Sequence, residues 1–169
     1  MLKERIRRYL GTDRQHSAQS SASPPKLTCY PRRPARPCQP EDPAAAAQYD
    51  LLQLIEVMYL DPYRPLDPVG MATKLGIKSF TTGLSPENSG MIRVLPGRDP
   101  EFYVNSDDSY ERQRFEHAYL LGRWLEETGK TCRNEWEYID WKTSLCVQRT
   151  TPEELYARHF AHALTGSLA

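Results

Sequence analysis

The sequence predicts an α+β domain in which a small sheet packs with about four helices, preceded by a flexible N-terminal arm. Asp or Thr followed directly by proline marks the start of three helices, and short β-prone runs bounded by turn residues lie between them. The chain has 169 residues, of which 39% are hydrophobic, so it has room for one modest core and a tail.

The arm, residues 1–42, differs in composition from the rest of the chain. Residues 1–43 contain nine of the 22 Lys and Arg, four of the 22 Asp and Glu, and seven of the 14 prolines. Such a segment cannot bury enough apolar surface to offset its conformational entropy. We therefore expect a disordered basic arm rich in Pro, Ser and Arg, with a short frayed helix at residues 2–10, and a folded domain over residues 43–169.

Composition also limits the partners and the location of the protein. A formal net charge of +0 argues against a protein whose main affinity comes from neutralising nucleic-acid phosphates, so nucleic acid is expected only through the arm. No apolar run reaches the roughly 18 to 20 residues of a membrane span, and the first residues do not form a secretory signal. We expect a cytoplasmic protein with no membrane contact. Its thiols are predicted to be free, because no C-x-x-C pair occurs among Cys29, Cys38, Cys132 and Cys146.

The first half of the domain reads as helix, helix, strand. Asp42 followed by proline predicts a helix over residues 43 to about 60, and Asp67 followed by proline predicts a second that Gly76 closes. Residues 77–82 alternate as a strand does. The first helix has one apolar stripe at i, i+3, i+4 and i+7, formed by Leu51, Leu54, Ile55 and Met58.

Two strands and the longest helix follow. Residues 90–95 and 101–105 are β-prone and are separated by the turn residues 96–100, which predicts a hairpin or a tight reversal. The long helix is predicted over residues 109–128, with Gly129 at its end.

The last part of the chain contains an irregular stretch and a final helix. Trp136, Tyr138 and Trp141 lie in the stretch that we expect to be irregular. Thr151 and Glu154 form a capping box around a proline, which predicts that the final helix begins there.

Four fragments of the chain, residues 66–77, 88–92, 103–105 and 112–115, form one ordered pattern. In order and in spacing they resemble the ImmA/IrrE family of zinc metallopeptidases. The resemblance extends over roughly residues 44–164, and it implies a minimal thermolysin-like zincin fold. It also implies a role in cutting or controlling DNA-binding repressors during mobile-element transfer and DNA-damage responses.

The motif that gives this family its activity is missing. Alignment on the shared Arg-Phe, Ala and Gly residues puts Tyr119 and Arg123 at the two histidine ligands of H-E-x-x-H, and Leu120 at the general-base glutamate. Ligands at i and i+4 bind one zinc ion from one face of a helix, and the glutamate accepts a proton from the zinc-bound water. A protonated guanidinium, an alkyl chain and a neutral phenol cannot do this. We therefore expect no catalytic residues and no zinc cofactor, although the family implies zinc.

The resemblance also suggests where the remaining pocket lies. The third ligand of the family, a glutamate on a later helix, falls on Glu154 or Tyr156, and the sequence alone does not decide between them. The candidates for lining the former pocket are Tyr119, Arg123, Glu154, Tyr156, Ser89 and Asn105. We further hypothesise that the guanidinium of Arg123 pairs with Glu154 or Glu116 and replaces the lost zinc charge.

A rebuilt metal site has little support from the histidines. His117 lies two residues before Tyr119, about 200° around the helix, and so points away from the former pocket. His159 and His162 share a helix face but lack an identifiable third ligand.

These observations predict a catalytically inactive pseudopeptidase that acts by binding a protein in the regulation of a mobile element or a stress response. The candidate partner is a helix-turn-helix repressor. The alternative is an active zinc metallopeptidase that cleaves such a repressor with rebuilt ligands. An inert remnant of the family also stays open.

Overall fold

A computed structural model describes residues 42–61, 66–130, 135–141 and 151–166 of the chain. Four helices are described: α1 (Pro43–Val57), α2 (Pro68–Lys74), α3 (Tyr110–Lys130) and α4 (Pro152–Thr165). Four strands are described: β1 (Lys78–Thr82), β2 (Asn88–Val94), β3 (Glu101–Asn105) and β4 (Trp136–Trp141). The predicted α+β class is confirmed.

The predicted helix starts are formed by side-chain caps. The carboxylate of Asp42 accepts a hydrogen bond from the backbone N–H of Ala44 at 3.1 Å, and that of Asp67 accepts one from Val69 at 3.0 Å. Both halves of the predicted capping box at the start of α4 are present. Helix α1 ends at Val57, earlier than predicted, and the chain then turns through Tyr59, whose φ is 53°.

The sheet has the strand order β1-β3-β2-β4. Strands β2 and β3 pair in antiparallel fashion across the turn at residues 95–100, which confirms the predicted hairpin. Strand β1 pairs in parallel with β3, and β2 also pairs in antiparallel fashion with β4.

The segment that was expected to be irregular is strand β4, so that prediction is wrong. Tyr138 lies opposite Ile92 of β2, and Asp140 lies opposite Gly90. The partner strand lies more than 40 positions earlier in the chain, and its hydrogen bonds supply the order that no local turn or cap signal predicts. The end of α3 was also mispredicted, since the helix continues through Gly129 to Lys130.

Helix α3 lies at the centre of the domain and contacts β2, β3, α2 and α4, while α1 packs against α4. Its approach to α4 is close because Gly122 has no side chain. A Cβ atom there would lie 3.0 Å from Cα of Ala157 and 3.1 Å from Cβ of Phe160. The core that results is dominated by fully buried large side chains, among them Phe102, Phe160, Leu54, Met71, Leu75 and Ile92.

Several predictions fall on residues outside the described ranges. They concern the disordered arm, the short helix at residues 2–10 and all four cysteines. Within the part of the chain that the structure describes, no helix is long and apolar enough to cross a membrane.

We expect Gly122→Ala to lower the free energy of unfolding. The new methyl group meets the backbone of Ala157, which cannot move without shifting α4, and overpacking of this kind costs about 1–3 kcal/mol. The better helix propensity of alanine returns only about 1 kcal/mol. Urea unfolding measures the difference, with Gly83→Ala as the control because a Cβ at Gly83 meets nothing within 4 Å. A Gly122→Ala protein as stable as the wild type would contradict the close helix contact.

Candidate functional site

Tyr119 and Arg123, which the predicted alignment puts at the two histidines of H-E-x-x-H, meet Tyr138 of strand β4. The hydroxyl oxygens of Tyr119 and Tyr138 are 3.0 Å apart, within hydrogen-bond distance. The guanidinium of Arg123 lies over the Tyr138 ring, 4.6 Å from its centroid, in cation–π geometry. Burial raises the pKa of Tyr119 to about 12, so its phenol is neutral at physiological pH. We call these three residues the Tyr-Arg cluster.

Leu120, which the same alignment puts at the general-base glutamate, is fully buried in the core. Ser89 is also fully buried, and its hydroxyl oxygen accepts a hydrogen bond of 3.0 Å from the guanidinium of Arg112.

Asn105 has a structural role in the loops at one end of the sheet. Its amide nitrogen donates to the carbonyls of Asn88 and Ser85 at 2.9 Å and 3.3 Å. Its oxygen accepts from the backbone N–H of Asp107 at 3.1 Å and of Leu84 at 3.4 Å. The fully buried amide uses both its donor and its acceptor groups in these four contacts, which hold the loops together.

The two candidates for the third ligand are both engaged in structural contacts. The Glu154 carboxylate accepts a hydrogen bond of 3.0 Å from the backbone N–H of Thr151 in the capping box. Tyr156 is 3% exposed, and its hydroxyl donates to the Asp50 carboxylate at 2.8 Å, which ties α4 to α1.

The hypothesis that Arg123 pairs with Glu154 or Glu116 is wrong. No ion pair joins Arg123 to either carboxylate among the residues described, and Glu116 instead pairs with Arg112 at 3.7 Å. The ring of Tyr138 takes the place expected for a carboxylate at Arg123. Tyr138 was not expected at Arg123, because its segment was predicted to be irregular.

A buried acidic pair lies beside the Tyr-Arg cluster, and sequence reasoning missed it. Glu116 of α3 has a side chain that is 1% exposed, and neither of its carboxylate oxygens has a hydrogen-bond partner. Asp140 of β4 lies next to the same arginine. One guanidinium nitrogen of Arg112 is 3.7 Å from a carboxylate oxygen of Glu116 and 3.9 Å from one of Asp140. The Tyr138 hydroxyl, 3.4 Å from the Asp140 carboxylate, connects this pair to the Tyr-Arg cluster.

Burial dominates the electrostatics of the pair. It raises the pKa of Glu116 from 4.5 to about 8, and the charge of Asp140 acts in the same direction while Arg112 opposes it. Burial also raises the pKa of Asp140, against the opposing charge of Arg112. The two carboxyls therefore disfavour being ionised together.

The histidines lie elsewhere. His117 is 6% exposed and lines a cleft of about 860 Å³ between α2, α3 and the end of α4, away from the Tyr-Arg cluster. Burial lowers the pKa of His117 to about 4. The ring of His162 packs edge-on against Phe115, with 5.0 Å between the ring centroids. Over the described ranges, no group of three His, Cys, Asp or Glu side chains has the geometry to hold a metal ion.

The sequence did contain signals for the missed residues. The aromatic residues Trp136 and Tyr138 alternate with the charged Glu135 and Glu137, which is the period of a strand. Arg112 and Glu116 have the i, i+4 spacing of a helix ion pair. Neither signal says that the two segments meet.

Comparisons of the chain with protein-family models, with curated proteins and with solved structures find no match.

We expect Tyr156→Phe to lower the free energy of unfolding by about 1–2 kcal/mol, because it removes a buried hydrogen bond to a carboxylate. Urea unfolding checks this, and Tyr110→Phe is the matched control because Tyr110 is 75% exposed. Equal stability of the Tyr156→Phe protein and the wild type would mean that Tyr156 does not hold Asp50 in solution.

Proposed function

We propose that this chain is a non-catalytic, protein-binding member of the ImmA/IrrE type, a pseudopeptidase on a zincin-like scaffold. The observation that carries the proposal is the Tyr-Arg cluster. At the positions where the family has its ligands, Tyr119 and Arg123 are engaged with Tyr138 rather than open to a metal ion.

The chemistry of these side chains supports binding rather than hydrolysis. A phenol whose pKa is raised to about 12 stays protonated and is a poor ligand for zinc. A guanidinium offers no lone pair, and Leu120 accepts no proton. Without a ligand set and a base, no water is activated for attack on a peptide bond.

The same residues suit a binding surface. Arginine and tyrosine, together with tryptophan, are enriched at the hot spots of protein interfaces. Tyr138 and Arg123 are only partly buried, and β4 is the last strand of the described sheet order. An edge strand has unpaired backbone groups that an extended segment of a partner can join. By resemblance to the family, the expected partner is a helix-turn-helix repressor.

Zinc content tests the loss of the metal site. We expect the full chain, purified without a histidine tag and without chelator, to contain far less than one zinc per chain by elemental analysis, since Tyr119 and Arg123 are unsuitable ligands. A value near one, together with chelator-sensitive cleavage of a repressor, would instead establish the active-peptidase alternative.

Binding tests the second part of the proposal. Helix-turn-helix repressors from the same genome are titrated with the chain by calorimetry, and the repressor is checked for cleavage by mass spectrometry. We expect an intact complex that Arg123→Ala weakens by at least about tenfold, as loss of an interface arginine does. Arg98→Ala, at an exposed arginine in the turn between β2 and β3, is the matched control and changes the affinity by less than about twofold. Equal affinities for the two variants would place the binding surface elsewhere.

A further inference from the structure

The contact between α3 and the sheet contains a carboxyl group where a packed core has an apolar side chain. Glu116 is fully buried, and its carboxylate lies under the backbone of β2 at Gly90. A Cβ atom at Gly90 would approach the nearer carboxylate oxygen of Glu116 to 2.6 Å, so the fit leaves no space for a side chain there. No hydrogen-bond donor reaches either oxygen in the described structure.

An ionised carboxylate is costly in this position. Removing it from water without hydrogen bonds costs several kcal/mol, and one guanidinium at 3.7 Å, itself 45% exposed, offsets only part of that cost. The second acid, Asp140, adds a like charge nearby. A carboxylate cannot donate a hydrogen bond, so the two acids can bond to each other only when one of them carries a proton.

We propose that Glu116 and Asp140 share one proton in the native protein, as a carboxyl–carboxylate hydrogen bond between α3 and β4, and that losing this proton weakens the attachment of β4 to α3. The strength of the contact between α3 and β4 would thus depend on pH. This inference goes beyond the proposed function and holds whether or not the chain binds a repressor.

The charged groups around the pair are consistent with one retained proton. Glu116 faces Arg112 from its own helix, Asp140 from β4 and Asp108 from the turn before α3. On β2, the uncharged Gly90 lies against the carboxyl, and Ser89 bonds to Arg112. Two acids and one arginine therefore surround the Glu116 carboxyl.

Asp140 has a second set of neighbours. It faces Arg112, the Tyr138 hydroxyl, and Glu154 and Arg158 from α4. The charges of Glu154 and Arg158 have opposite signs, so α4 does not supply the net positive charge that would let both acids ionise.

The sign of the pH dependence follows from linkage. Burial raises the native pKa of Glu116 to about 8 from an ordinary value of 4.5, so the native state binds more protons than the unfolded state between these values. Its stabilising effect is complete below about pH 4.5 and is lost as the pH rises toward 8. His117 acts in the opposite direction: its native pKa near 4 lets the stability rise as the pH goes from 4 to 6.5.

Between pH 7 and 8, the change in stability is therefore expected to come from the acidic pair rather than from His117. By urea unfolding of the full chain, we expect the folding equilibrium constant to fall about fivefold from pH 7 to pH 8, as for one carboxyl with a native pKa near 8. Glu116→Gln, which imitates the protonated acid, should reduce this change to less than about twofold. Glu111→Gln, at an exposed glutamate of the same helix, is the matched control and should keep the full change.

A second measurement does not depend on the folding of a variant. Carbon-13 NMR of the native wild-type chain should show one side-chain carboxyl that remains protonated above pH 6, absent from the spectrum of Glu116→Gln or Asp140→Asn. A wild-type stability that is unchanged or rises from pH 7 to 8, or carboxyls that all titrate near their ordinary values, would overturn the proposal. Neither result bears on zinc content or on repressor binding, so failure here is separate from failure of the proposed function.

Discussion

Helix α3 has to pack against the sheet on one face and against α4 on another, and the remaining elements are arranged around these two contacts. At each contact a glycine removes the side chain that would separate the partners. Gly122 brings the backbone of α4 within van der Waals range of α3, and Gly90 lets the Glu116 carboxyl lie against β2. The positions of β4 and of the Tyr-Arg cluster follow, because β4 is placed by its pairing with β2.

Under the proposed relationship to zinc metallopeptidases, Tyr119 and Arg123 would lie where the equivalent helix carries its metal ligands. A zinc ion would bring two positive charges to a site of imidazoles and carboxylates. In this structure Arg123 brings one positive charge to that place, and its guanidinium lies over the π face of the Tyr138 ring. Tyr119 completes the contact with a neutral hydroxyl group. These two side-chain contacts join α3 to β4 directly.

The parts of the fold that the sequence predicted are those set by neighbouring residues. Asp42, Asp67 and Thr151 cap helices through bonds that span two or three positions, so their signals are visible locally. The hairpin of β2 and β3 was predictable for the same reason. Strand β4 was missed because its hydrogen bonds go to a distant strand. Within the candidate site, the predicted helix over residues 109–128 put Tyr119 and Leu120 on α3, whereas the partner of Arg123 depended on β4 and was mispredicted.

The same reasoning applies to Glu116, which is the least expected residue of the core. Leucine at this position would keep the helix, bury apolar surface and avoid the desolvation cost of a charge, and buried ionic groups are often less stable than apolar side chains of similar volume. The Glu116 carboxyl lies so close to Gly90 that a methyl group at Gly90 would overlap it. Glu116 is the most deeply buried of the described ionisable side chains of α3, and it lies next to the Tyr-Arg cluster. In natural proteins, residues that conflict with the packing rules are concentrated at functional sites. Glu116 lies beside β4, the strand that we propose as the binding edge.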